Sequence, residues 1–70
     1  MKKPLTSRQS EILKYLSRYI LVHDHSPLWA EIAEHFGTSK RNIVQHIQSL
    51  EDRGHITRDN STRPPVVTII

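Results

Sequence analysis

Residues 39–48 carry side chains suited to paired hydrogen bonds, and no acidic residue interrupts them. Arginine can bond both acceptors on the major-groove edge of guanine, and glutamine or asparagine can bond the acceptor and donor of adenine. This chemistry recognises a base and does not transform a substrate. The residues that we expect to read bases are Ser39, Lys40, Arg41, Asn42, Gln45 and Gln48.

The spacing of these residues determines whether they share one face. Ile43, Ile47 and Leu50 recur at helical intervals and predict the buried side of a helix over residues 40–52, which Gly54 ends. At about 100° per residue, the side opposite that stripe holds Arg41, Gln45, Gln48 and Asp52. An ordinary helix with a solvated face would look the same. The elements around this helix must therefore decide between the two interpretations.

Two amphipathic helices are predicted before it. Residues 7–22 show an apolar stripe at i, i+1, i+4, i+7 and i+8, with Thr6 or Ser7 as the cap. Residues 28–36 repeat the helical spacing, from Pro27 as a suitable first position to Gly37 as a left-handed cap. Trp29 lies on that second stripe, which favours core packing over an exposed contact. A tight turn over residues 37–39 then leads directly into the third helix.

The end of the chain changes to a strand pattern. Residues 56–58 and 66–70 are rich in β-branched side chains, and the polar residues 59–64 between them favour a turn. A hairpin is barely stable alone, so it must pack on the helices. We therefore predict one mainly α domain over residues 1–70, a winged helix-turn-helix with three helices and a C-terminal β-hairpin wing.

Charge is distributed unevenly along the 70 residues, whose net charge is +3. Residues 1–20 hold five Lys and Arg against one Glu, a net charge of +4. Residues 21–37 hold three acidic residues and no Lys or Arg, a net charge of −3. Residues 38–70 hold five Lys and Arg against three acidic residues, a net charge of +2. Such a field can orient a domain on a polyanion.

The start of the first helix and the wing loop carry the side chains that suit contacts with the DNA backbone. The residues expected to contact phosphates or the minor groove are Thr6, Ser7, Arg8, Thr38, Arg58, Asn60, Ser61 and Arg63. The alternative role of the helix start is simple capping, and that of the wing loop is an ordinary surface turn.

Other classes of protein find little support. There is no cysteine, so neither a disulfide nor a thiolate metal site can form. His23 and His25 are the only close histidine pair and lack a second ligand cluster at a recognised spacing. No nucleophile elbow, phosphate loop or zinc-protease motif occurs, and no apolar run could span a bilayer. We expect a cytoplasmic non-enzyme with no cofactor, metal, membrane contact or small-molecule substrate.

Three segments of the chain carry short motifs in a recognisable order. Residues 5–9 (LTSRQ) are similar to L-T-x-R-Q, and residues 27–33 (PLWAEIA) to P-x-x-x-E-I-A. Residues 46–56 (HIQSLEDRGHI) are similar to H-L-x-x-L-x-x-K-G-x-I. These three motifs, in this order, resemble those of the DNA-binding domain of the LexA repressor family. The resemblance implies the winged fold, double-stranded DNA as the partner, repression by dimers and residues 39–48 facing the DNA.

The sequence also departs from that family. The turn before the third helix is one residue shorter, Leu28 stands where the family often has a hydroxyl cap, and Arg41, Asn42, Val44 and Gln45 differ from the common residues. The resemblance therefore does not transfer an operator sequence. The family's self-cleaving peptidase domain has no counterpart in these 70 residues, so we expect either a fragment or a small regulator of phage or mobile-element origin.

Two other functions remain open at this point. A winged helix can bind another regulator or complex instead of DNA; Trp29 and the β-branched end, residues 66–70, would then be the contact. Binding to single-stranded nucleic acid or RNA is the third interpretation. It is disfavoured because at least three of the four aromatic residues lie on apolar helix stripes.

Overall fold

The computed structural model describes residues 4–61 and 65–70. It contains α1 (Ser7–His23), α2 (Trp29–Phe36), α3 (Lys40–Asp52), β1 (Ile56–Asp59) and β2 (Val66–Ile69). The two strands pair antiparallel, with Ile56 opposite Ile69 and Asp59 opposite Val66. This order confirms the predicted winged helix-turn-helix. None of the helices in these ranges is long and apolar enough to cross a membrane.

The core lies where the helices meet the hairpin. Its apolar side chains come from every element, which explains why the predicted hairpin is stable on this scaffold. The buried residues of the core are Ile12, Leu16, Ile32, Ala33, Ile43, Ile47, Leu50, Ile56 and Val67. Trp29 is half-buried and packs against this core, so it is neither fully enclosed nor free.

The first helix begins with a capping box. Thr6 is the N-cap: its Oγ1 accepts from the Gln9 N–H at 3.2 Å, while the Thr6 N–H donates to Gln9 Oε1 at 3.2 Å. The helix runs one residue beyond the prediction, to His23. Asp24 ends it in the left-handed region at φ 61°, where a short polar side chain is tolerated better than most.

The second helix begins later than predicted. Pro27 is not its first residue, since Leu28 is the N-cap and the helix starts at Trp29. Leu28 provides no side-chain cap bond, and Pro27 is fully buried beside the core. The prediction for Pro27 was wrong because burial of its ring determines its place. Gly37 ends the helix at φ 65°, as predicted.

The strands differ from their predicted bounds by one residue each. β1 extends through Asp59, and β2 ends at Ile69. Ser26, in the connector between α1 and α2, flanks β2 on the side away from β1: its Oγ donates to Val67 O at 3.2 Å and accepts from the Val67 N–H at 2.8 Å. This buried serine therefore satisfies part of an otherwise open strand edge.

Candidate nucleic-acid interface

The turn before α3 is fixed by its own polar side chains. Ser39 is the N-cap, and its Oγ accepts from the Asn42 N–H at 3.1 Å. Asn42 Nδ2 donates to Thr38 Oγ1 at 2.9 Å. Thr38, Ser39 and Asn42 thus position the start of the helix, and each keeps hydrogen-bonding capacity for a further partner.

The N-terminal end of α3 presents free polar side chains. Lys40, Arg41 and Gln45 are exposed, and none of their side chains makes a hydrogen bond or ion pair with another described residue. Ile43 and Ile47 on the opposite side are fully buried, so the helix cannot rotate to hide these groups. The N-terminal half of the face predicted from the helical period is therefore present, and the described residues of the protein leave its side chains unbonded.

The C-terminal end of α3 is different because the first wing strand covers it. Arg58 Nη2 donates to Gln48 Oε1 at 2.7 Å and to Glu51 Oε1 at 3.2 Å. Gln48 Nε2 donates to Asp52 Oδ1 at 3.0 Å and makes a longer contact, 3.5 Å, with Glu51 Oε1. The side chain of Arg58 is only 13% exposed. Gln48 is exposed as predicted, but both polar atoms of its amide already have partners in the protein.

The start of α1 combines capping with an exposed arginine. Thr6 and Ser7 are both exposed, and only Thr6 acts as the cap. Arg8 Nη1 lies 3.3 Å from Glu11 Oε2, and its guanidinium lies 5.3 Å from the centre of the Phe36 ring. The ion pair is half-exposed on both sides, so it is weak enough to exchange for another anion.

The described part of the wing tip is a small, exposed turn. Asp59 Oδ1 accepts from the Ser61 hydroxyl at 2.6 Å and from the Ser61 N–H at 2.9 Å, and these bonds hold the pKa of Asp59 below its usual value. Asn60 and Ser61 are exposed. Arg63, the remaining expected contact of the wing, lies outside the described residues.

An aromatic and imidazole cluster lies on α1 and α2. Tyr15 packs against His35 with ring centres 4.4 Å apart, and Tyr19 against His23 with centres 4.1 Å apart; both ring pairs are tilted. The Tyr19 hydroxyl donates to Glu31 Oε2 at 3.0 Å; partial burial and this carboxylate raise the pKa of Tyr19. Among residues 4–61 and 65–70, no three His, Asp or Glu side chains are grouped to hold a metal ion.

Sequence reasoning missed three polar contacts that join distant segments. Two of them are the bonds from Ser26 to β2 and from Arg58 to α3. In the third, Arg53 Nη1 donates to Gln9 Oε1, which ties the end of α3 to the start of α1. The T-x-x-Q spacing of residues 6–9 is a capping-box signal that could have identified Gln9. Nothing in the sequence pattern pointed to Ser26 or to the pairing of Arg58.

Comparison with known proteins points to one family. The family model described as "LexA DNA binding domain" matches residues 2–64. The LexA repressor of Pseudothermotoga lettingae is 38% identical over 63 residues, which cover 90% of this chain and 32% of that protein. The LexA repressor of Thermosipho africanus is 39% identical over 57 residues (81% and 29%), and that of Staphylococcus aureus strain Mu3 is 35% identical over 69 residues (97% and 33%).

These matches agree with the order of elements. The chain spans about a third of the length of these relatives. The family model covers all three helices and the first wing strand. This chain belongs to the LexA DNA-binding domain family.

Proposed function

We propose that this chain binds double-stranded DNA in a sequence-specific manner and acts as a transcription repressor. The observation that carries the proposal is the exposed, unpaired row of Lys40, Arg41 and Gln45 on α3. The major groove admits one helix. Helix-turn-helix proteins contact base edges with the N-terminal residues of the second helix of the motif, which corresponds to α3 in this chain. Repression is supported by the name of the relatives, LexA repressor.

Each base-reading residue has a chemistry of its own. Arg41 suits the two acceptors of guanine, and Gln45 suits adenine. Lys40 donates to acceptors of guanine or to a nearby phosphate, since an ammonium is a point charge without a fixed geometry. Ser39 and Asn42 reach bases or phosphates with the hydrogen-bonding capacity that their capping bonds leave. Gln48, near the end of α3 that packs against the wing, is the last of the proposed base-reading residues.

Phosphate contacts would hold α3 in register without reading sequence. We propose Thr6, Ser7 and Arg8 at the start of α1, where free N–H groups and the helix dipole favour an anion. Thr38, in the turn before α3, offers a hydroxyl donor, and Asn60 at the wing tip offers an amide donor. Ser61 would have to exchange the bond that its hydroxyl donates to Asp59 for one to a phosphate. Arg63 remains an expectation from sequence. Arg58 is treated separately because its guanidinium already bonds α3.

A domain of this size covers one half-site. We propose that two copies bind half-sites about one helical turn apart, 10–10.5 base pairs centre to centre in related helix-turn-helix dimers. Pairing raises affinity because the second contact becomes intramolecular. The site of action is then the bacterial cytoplasm, where the DNA is.

Binding to a protein is the second candidate, because apolar side chains are exposed away from α3. Leu21 is 84% exposed and Val22 69% exposed at the end of α1. The outer edge of β2 supports this candidate less than its sequence suggested, because Ser26 occupies both backbone groups of Val67. On this interpretation, substitution of Leu21 abolishes function and substitution of Arg41 does not.

Selection from a random duplex library at moderate salt tests the proposal. The expected result is a recovered motif containing two half-sites about one turn apart, and much weaker retention of the same sequences as single strands. Retention without a motif would leave only electrostatic binding. If no DNA is retained, the proposed function is wrong and the protein-binding candidate takes its place.

A further inference from the structure

We propose that Arg58 is a positioning residue that orients the amide of Gln48 for adenine, and that it does not bind a phosphate. This inference rests on the proposed function. It starts from the contacts at the wing end of α3, where Arg58 Nη2 donates to Gln48 Oε1 at 2.7 Å and to Glu51 Oε1 at 3.2 Å.

The charge of Arg58 is already neutralised inside the protein. Its side chain is 13% exposed, and that of its partner Glu51 is 30% exposed. Its Nε is fully enclosed and has no hydrogen-bond partner among the described residues, and its Nη2 is held by α3. To offer Nη2 to a phosphate, Arg58 must first leave Gln48 and Glu51. This cost favours the positioning role over a phosphate contact.

The partners of Gln48 determine which way its amide points. Its Oε1 faces a donor, Arg58 Nη2, and its Nε2 faces an acceptor, Asp52 Oδ1, at 3.0 Å. A reversed amide would place N–H groups against the guanidinium and oxygen against the carboxylate. One orientation is therefore strongly favoured, whereas Gln45 one turn earlier has no such restraint from any described residue.

The fixed amide still has capacity for a base. A carboxamide offers two lone pairs and two hydrogens: Arg58 takes one lone pair, Asp52 takes one hydrogen, and the second hydrogen has only the long contact of 3.5 Å with Glu51 Oε1. Once that long contact is given up, the amide presents one acceptor and one donor, which are the partners that N6–H and N7 of adenine require in the major groove. Holding the side chain in advance reduces the entropy that is lost on binding. The geometry therefore makes Gln48 a pre-oriented adenine reader and Arg58 the residue that orients it.

The first measurement uses the free protein and NMR of glutamine side-chain amides. The variant is Arg58→Met, which keeps an unbranched apolar side chain against the hairpin and removes the donor; its thermal unfolding is checked first. We expect the Gln48 amide signals of the parent to lie apart from those of Gln45 and to move toward them in Arg58→Met. If the Gln48 signals do not move, Arg58 does not orient this amide and the inference is wrong.

The second measurement compares selected motifs and salt dependence for the parent, Arg58→Met, Gln48→Ala and Arg8→Met. We expect Arg58→Met and Gln48→Ala to relax the preference for adenine at the same base pair, about tenfold, with an unchanged slope of log K against log salt. Arg8→Met, the matched loss of a proposed phosphate contact, lowers that slope by about 0.9 and leaves the motif intact. A slope change for Arg58→Met equal to that for Arg8→Met would overturn the inference. If the parent selects no motif, the proposed function fails, and the amide signals of the free protein still decide whether Arg58 positions Gln48.

Discussion

The two ends of α3 look alike in sequence and differ in the structure. Both carry polar side chains opposite the buried stripe of Ile43 and Ile47. At the N-terminal end, Lys40 and Arg41 are free of side-chain partners among the described residues. At the C-terminal end, the wing covers the helix, and Arg58 is bonded to both Gln48 and Glu51.

The difference separates exposure from availability. A helical period identifies which side chains face outward, but it does not show which of them the protein itself has bonded. Lys40 and Arg41 at the N-terminal end have no side-chain partner among the described residues, whereas the charges of Arg53 and Arg58 at the C-terminal end are balanced by those of Glu51 and Asp52. We therefore expect phosphates to bind more favourably at the N-terminal end of α3 than at its C-terminal end. The N-terminal end also has the positive pole of the helix dipole.

A substitution in the buried stripe of α3, which supports both of its ends, has the largest expected effect on stability. Ile47→Ala removes a fully buried side chain on which α3 rests. It should lower the free energy of unfolding by about 2–5 kcal/mol, because the transfer energy is lost and a cavity remains. Urea unfolding followed by circular dichroism measures this, with exposed Gln45→Ala as the control. If Ile47→Ala is as stable as Gln45→Ala, the core assigned here is wrong.

The next effect separates the free end from the rest of the surface. Arg41→Ala should weaken binding to the selected duplex by about 1–3 kcal/mol and binding to random duplex by less, because a base contact is lost. Fluorescence anisotropy titrations measure both. Lys14→Ala, an exposed residue of α1 outside the proposed interface, provides the control for loss of one charge. Equal losses on both duplexes would exclude a base-reading role for Arg41.

A smaller effect concerns the cap that begins the free end. Ser39→Ala removes the bond that the Ser39 hydroxyl accepts from the Asn42 N–H. It should cost about 1 kcal/mol of unfolding free energy, as typical N-cap losses do. Ser7→Ala is the matched control, because Ser7 is exposed in the first turn of α1 but is not its cap. Two variants of equal stability would show that the Ser39 cap contributes nothing.

The smallest effect concerns the wing beyond the bonded end. Asp59 has a lowered pKa because the Ser61 hydroxyl and N–H donate to its carboxylate. Since the folded value lies below the unfolded one, this stabilisation is complete above the unfolded pKa and is lost as pH falls through the folded pKa. The Ser61 amide signal in NMR should therefore titrate below the usual Asp value of about 3.9. A midpoint at or above that value, or the same titration in Asp59→Asn, would contradict the contact.

The sequence was sufficient for the elements and for the outward face of α3. Apolar spacing predicted all three helices to within two residues at their ends, and Gly37 and Ser39 marked the turn between α2 and α3. These features are local, so neighbouring residues specify them. Pro27 was misplaced because it is fully buried ahead of the N-cap Leu28, although proline suits a first helical turn.

Contacts between distant segments could not be predicted in the same way. Ser26 bonds Val67 across 41 positions, and Arg58 meets Gln48 across ten. No periodicity encodes such pairs, because they exist only after the hairpin has packed on the helices. For this reason Arg58 looked from its sequence like a free cation of the wing.

The most direct test of the account follows arginine and glutamine side-chain signals by NMR while DNA is added. Two duplexes are compared: the selected site and a scrambled site of the same composition. The account predicts that the signals of Arg41 and Gln45 move with the selected site and much less with the scrambled one, while the Arg58 signals stay in place with the scrambled site, where a phosphate contact would move them. Equal movement with both duplexes, or movement confined to the α1 surface around Leu21, would contradict base reading by the free end of α3.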